Sequence, residues 1–140
     1  MADVIYNSFK KKIMDGSIDL DTDTIKVALV TSSYTPDQDA HDFFDDVTNE
    51  VTGTGYTAGG ATLANKTVTA DNTDNEGVFD ADDVSWTTST ITARGAVIYK
   101  STGTASTSPI IAYIDFGADK TSTAGTFQIT WAAEGILNLN

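Results

Sequence analysis

The chain has no cysteine, two prolines, two methionines and a single histidine in 140 residues. Without cysteine there is no disulfide frame, no thiol nucleophile and no zinc–thiolate site. The lone histidine, His41, sits in the polar stretch DAHDFF, beside Asp39 and Asp42. A hydrolytic triad would need a serine on a strained turn near it, and no G-x-S-x-G sequence occurs. His41 is therefore expected to be a non-catalytic surface residue. Basic side chains are also scarce, 8 against 20 acidic ones, for a net charge of −12. Such a surface repels phosphate, which argues against a nucleic-acid partner. No apolar run approaches the ~20 residues of a membrane helix. The N-terminal segment FKKKIMDGS is charged, so neither a signal peptide nor a membrane partner is expected. Phosphate-cradling glycine motifs are missing as well. Carboxylates are plentiful, but a glycosidase pair needs an aromatic cleft, and Trp86 and Trp131 fall in strand patterns that read as core.

What the chain has is threonine, 23 of them, with 11 glycines and a hydrophobic fraction of 40%. That mixture favours strands and turns in a globular domain. A chain this long is expected to form one domain over residues 1–140, burying roughly 68–70% of its unfolded surface. Three segments alternate in the way a half-buried strand requires: ITARGAVIYK, PIIAYIDFG and TFQITWA. Ile110, Ala112, Ile114 and Phe116 share one face of the second, and Phe127, Ile129 and Trp131 share one face of the third. The loops between them, 101–108 and 117–124, are short enough for direct returns, which predicts a three-stranded meander. In it Ile110, Ile114, Phe127, Ile129 and Trp131 would be buried together.

Further forward, residues 3–14 read as a helix, with Asp3 as N-cap and Ile5, Phe9 and Ile13 on one side. Lys10 to Lys12 suit its end, and Gly16 stops it. Ile25, Val27 and Leu29 mark a strand. Residues 32–60 form an excursion with a helical turn at Phe43 and Phe44. A weaker strand over 61–70, a polar loop over 71–82 and a short strand at 83–87 follow. Ile136 or Leu137 would complete a sheet edge. The fold class is mainly β: a small antiparallel β-sandwich or flattened barrel with one N-terminal helix.

The charge is uneven. From residue 93 onward Arg94, Lys100 and Lys120 balance Asp115, Asp119 and Glu134, so all the excess acid lies in residues 1–92. Two acidic patches carry candidate calcium ligands. In DLDTDT, Asp19, Asp21 and Asp23 alternate, but Thr24 and Val30 stand where an EF-hand loop needs its glycine and terminal acid. Asn72, Asp74, Glu76 and Asp83 match that spacing better, yet lie between strands rather than helices. No cofactor or metal is expected, with those four as the weak alternative. Attachment to a partner would fall to the acidic half, with Phe43, Phe44 and Tyr56 as apolar anchors. The competing reading is that Phe43 and Phe44 cap the core.

Segments GSIDLDTDTIKVALVTSSY (16–34), ADDVSW (81–86), AVIYKSTGTASTSPIIAYIDFG (96–117) and FQITWAAEGILNL (127–139) give the chain a further likeness. Through them it resembles a family of small virion structural proteins of tailed bacteriophages, over nearly its whole length. The resemblance implies a capsid decoration or tail-associated protein in the virion, made in the host cytoplasm, with no catalytic residues. Its expected partners are the major capsid protein first and tail or neck proteins second, and a homo-oligomer such as a trimer is compatible with it. A tail or neck adaptor or fibre-associated subunit is the alternative. A host-surface carbohydrate-binding module or small hydrolase is a third reading, from a different class.

Overall fold

The computed structural model describes residues 2–140, which form two antiparallel sheets and one α-helix, consistent with a small β-sandwich. The chain enters as β1 (Val4–Ile5), turns into α1 (Asn7–Met14) and continues to β2 (Ile25–Val30). After the excursion come β3 (Ala61–Thr62), β4 (Thr67–Asp71) and β5 (Glu76–Asp80). β6 (Val84–Lys100) and β7 (Ile110–Ile129) form one long hairpin, and β8 (Leu137–Leu139) follows. The larger sheet is ordered β1-β7-β6-β2-β3 and the smaller β4-β5-β8.

The helix is shorter than its pattern predicts. Val4 and Ile5 pair with Tyr113 and Ala112 of β7, so the chain is extended where a first helical turn was expected. Asp3 is not the N-cap; its Oδ1 accepts the Asp115 N–H at 2.7 Å, and Tyr6 occupies the cap position without a side-chain bond. Strand pairing outcompetes one more turn of an eight-residue helix, whose isolated stability is marginal. Ile5 thereby leaves the apolar stripe and is exposed, while Phe9 is buried and Ile13 packs on the core.

The meander is also corrected. The expected strands at 83–87 and 91–100 are one strand, β6, and the second and third C-terminal segments are one strand, β7. The registers Val84↔Ile129 and Tyr99↔Ile110 mark the two ends of the hairpin. The stretch 117–124, expected as a reversing loop, does not reverse the chain, and its residues 120–122 pair with β6. Residues 116–119 bulge opposite the single Arg94, with Gly117 at φ +80°. Glycine and small residues signal a break in pairing there, but the break is a bulge and the chain resumes its direction.

A second bulge changes which residues meet. Ile98 pairs with Ala112 and Tyr99 with Ile110, leaving Ile111 extra in β7. Ile110 therefore joins one core cluster while Ile111, Ala112 and Ile114 join the other. Trp131 lies past the end of the ladder and is only half-buried, its indole N–H donating to the Asp82 carbonyl at 2.9 Å. The five residues expected to be buried together are thus divided. Two more expectations fail: the 71–82 loop contains β5, and the 61–70 strand splits into β3 and β4, which belong to different sheets.

The larger sheet is covered on both faces. One face carries Val27, Leu29, Trp86, Ala96 and Phe127, packed with Phe9 of α1 and Phe79 of the small sheet. The other carries Tyr6, Val30, Val97, Tyr99 and Tyr113 and is covered by Tyr34, Phe44 and Val47 of the excursion. This explains why β2 is apolar at nearly every position rather than alternating.

Candidate functional site

Three sets of contacts hold the 32–60 excursion on the sheet. The first is a chain of buried hydroxyls. Tyr6 Oη lies 2.8 Å from Tyr34 Oη, which lies 2.9 Å from His41 Nδ1. The Asp37 N–H also reaches that nitrogen, at 3.3 Å. Since a backbone N–H can only donate, Nδ1 is the acceptor, so Tyr34 donates to His41 and Tyr6 to Tyr34. Burial pushes the Tyr6 hydroxyl well above the usual tyrosine range and raises that of Tyr34, keeping both neutral. His41 is not the freely exposed histidine expected from DAHDFF. Its ring stacks on Tyr34, with centroids 5.7 Å apart, because the 37–41 turn folds it back onto the sheet.

The second set surrounds the two phenylalanines. The Phe44 N–H donates to Ser108 at 2.8 Å, and Phe43 bridges to Pro109. The Phe44 ring stacks on Tyr99 at 4.1 Å, so it forms part of the core cover. Phe43 is half-buried, and the Lys12 ammonium sits 4.5 Å from its ring centroid. Asp46 holds the turn at 44–46 by accepting the N–H groups of Asp42 and Phe43, at 2.8 and 3.2 Å. Asp37, Asp39, Asp42 and Asp45 remain exposed around this surface.

The third set centres on Glu50. Its Oε2 accepts the Tyr56 hydroxyl at 2.5 Å and the Gly59 N–H at 2.7 Å. Tyr56 Oη in turn accepts the Leu29 N–H at 3.0 Å, and the ring packs beside Trp86. Tyr99 donates to the Gly59 carbonyl at 2.6 Å. Gly60, at φ +77°, comes so close to β2 that a Cβ there would sit 1.8 Å from the Val27 carbonyl oxygen. Burial, then the Glu50 carboxylate, raises the Tyr56 pKa strongly; the same causes push Tyr99 up to about 12. Tyr56 is thus bound into the fold rather than presented outward.

The second acidic patch takes a different form from the expected one. Asn72, Asp74 and Glu76 lie at the tip of the β4–β5 hairpin, where the carboxylates of Asp71, Asp74 and Glu76 converge within 4.8 Å of one another. Asp83 is not part of this group, because its Oδ1 accepts the Trp131 N–H at 3.0 Å. Asp71 accepts the N–H groups of Thr73 and Asp74, and Glu76 accepts from Asn138. The first patch is structural: Asp23 pairs with Lys100 at 3.0 Å and accepts the Asp19 N–H.

Sequence reading missed the tyrosine relay, the Glu50–Tyr56 contact and a buried serine pair, Ser89 and Ser122, whose hydroxyls are 2.7 Å apart. No local pattern signals these, because the partners are 28, 6 and 33 residues apart. It also missed a groove of about 620 Å³ along β7, walled by Phe116, Phe127 and Trp131. Among the described residues no helix is long and apolar enough to cross a membrane. No protein-family model, curated protein or solved structure matches the chain.

Proposed function

We propose that this protein is a structural component of a tailed-bacteriophage virion, decorating the assembled capsid where neighbouring shell subunits meet. The observation that carries the reading is the way the excursion is held. A long acidic loop is fixed to a rigid sheet at the Tyr6–Tyr34–His41 chain, the Phe44–Tyr99 stack and the Glu50–Tyr56 contact. Fixing a loop in this way lowers the entropy lost on binding and suits a part that docks repeatedly in one geometry. The resemblance in residues 16–34, 81–86, 96–117 and 127–139 points in the same direction. Phe43, half-buried amid Asp42 and Asp45, is the apolar contact offered to the shell. No catalytic role is assigned to His41, whose Nδ1 serves the fold.

Copy number tests this. Purified particles that encode the chain should contain it in hundreds of copies, measured against the major capsid protein by quantitative mass spectrometry. Six or twelve copies would move it to the tail or neck, and its absence from particles would end the virion reading. The groove at Trp131 favours one second reading, a carbohydrate-binding module, which glycan-array binding lost in Trp131→Ala would establish.

A further inference from the structure

We propose that His41 is a pH-sensitive latch: uptake of a proton at its Nδ1 breaks its contact with Tyr34 and frees the 37–41 turn from the sheet. Nδ1 has one lone pair, which accepts from the Tyr34 hydroxyl at 2.9 Å and from the Asp37 N–H at 3.3 Å. The contact exists only while that nitrogen carries no proton. The closed turn therefore requires neutral histidine in its Nε2–H tautomer.

The buried end of the chain of hydroxyls prevents it from simply reversing. A protonated Nδ1 would donate to Tyr34 Oη, and Tyr34 would then have to donate to Tyr6 Oη, 2.8 Å away. That leaves the Tyr6 proton with nothing to accept it. Tyr6 is fully buried, and Tyr34 Oη is the one hydrogen-bond partner of its hydroxyl among the described residues. The Asp37 N–H would meanwhile face a second donor. Donors left unpaired inside the fold are costly, whereas in an opened turn the imidazolium meets water. The closed form thus holds the proton more weakly than the open one.

The surrounding charges favour the open, protonated form. Asp37, Asp39 and Asp42 are exposed, and the Asp37 carboxylate attracts the ring directly. Asp46 acts on Tyr34 from the helical turn that follows. From the start of the chain come Tyr6 and, through Asn7, Lys10, whose Nζ lies 3.2 Å from Asn7 Oδ1. From β7 comes Tyr113, its ring 5.8 Å from that of Tyr34. Lys10 is the single cation in this set, against those four aspartates, so an imidazolium is drawn towards the surface.

The remaining ties of the turn run between exposed residues. The Asn7 N–H donates to the Gln38 carbonyl at 3.1 Å, Gln38 Nε2 to the Ile5 carbonyl at 2.8 Å, and Asn7 Nδ2 to Asp39 at 2.6 Å. Water replaces such bonds at little cost. Beyond His41 the hold is firmer: the Ile110 N–H donates to the Asp42 carbonyl at 3.1 Å, and Phe44 stacks on Tyr99. The hinge lies between His41 and Asp42. The latch acts on the isolated chain, whatever the Phe43 surface docks on.

Nuclear magnetic resonance of the isolated full chain from about pH 8 to about pH 5, the range in which histidine takes up its proton, tests this. At the upper end the ring nitrogens should report the Nε2–H tautomer, and the His41 and Asn7 amides should be protected from exchange. As pH falls through the range, protection of these two amides should drop by up to about tenfold per pH unit, because the open form holds one more proton. The Phe44 amide should not follow. His41→Asn puts a carbonyl oxygen near the place of Nδ1 that accepts but takes up no proton, and its profile should be flat. A flat profile supports the latch whether the variant turn is closed or open. The parent's pH-dependent loss recurring in His41→Asn would overturn it. So would an Nδ1–H tautomer at the upper end, or protection that survives protonation of His41.

Discussion

The hydroxyl of Tyr56 joins the Glu50 carboxylate to the backbone of β2: it lies 2.5 Å from Glu50 Oε2 and accepts the Leu29 N–H at 3.0 Å. One phenol thus satisfies a partly buried carboxylate and a central-strand donor together. Tyr56→Phe leaves both without that partner, and an unsatisfied buried group costs about 1–3 kcal/mol. Urea unfolding should show a loss of that size. An unchanged midpoint would mean that solvent replaces the hydroxyl and that the 50–60 segment is not fixed as described.

Phe43 and Phe44 separate two roles that adjacent positions in the sequence could not. Phe44, stacked on Tyr99, belongs to the core cover, so Phe44→Ser should destabilise the domain by about 2 kcal/mol or more. Phe43→Ser should leave the melting temperature close to the parent and weaken attachment to particles. The reverse pattern, with Phe43 decisive for stability and Phe44 for attachment, would exchange the assignments.

The two tryptophans should differ as well. Trp86 is buried against Phe127 and Tyr56, and Trp86→Ala should cost roughly 3–5 kcal/mol. Trp131 is half-buried past the end of the ladder, and its replacement by alanine should cost clearly less. Equal losses in calorimetry would place Trp131 in the core after all.

These contrasts mark what the sequence makes legible. Alternation located the strands of the C-terminal half because burial on a pleated face leaves a period of two. It could not tell a bulge from a turn, since Gly117 and its small neighbours serve either. It could not foresee the inversion at Ile111, where one extra residue sends Ile110 and Ala112 to opposite faces. The front helix failed at Asp3 and Ile5 because a distant strand, β7, claims that backbone. At the candidate site, the helical turn at Phe43 and Phe44 was legible from its composition. The acceptor role of His41 and the Glu50–Tyr56 contact were not, because they depend on side chains brought together only by the fold.

Acid should act through Asp115. The Gly117 N–H, then Arg94 at 2.9 Å, lowers its pKa from 3.8 to about 2. A carboxyl that is more acidic when folded stabilises the fold above its unfolded pKa and loses that contribution as pH falls toward 2. Stability should therefore decline between these values, and Asp115→Asn should show a shallower decline over the same window. Parallel curves for parent and variant would remove Asp115 from the acid response.

The most direct test of the account is a reconstruction of the intact virion at a resolution that traces the chain. It should place the protein on the outer shell at junctions between capsid subunits, with the Phe43 surface and its aspartates against the shell. Density for the chain confined to the tail or neck, or a shell-bound chain with residues 37–46 facing solvent, would contradict it.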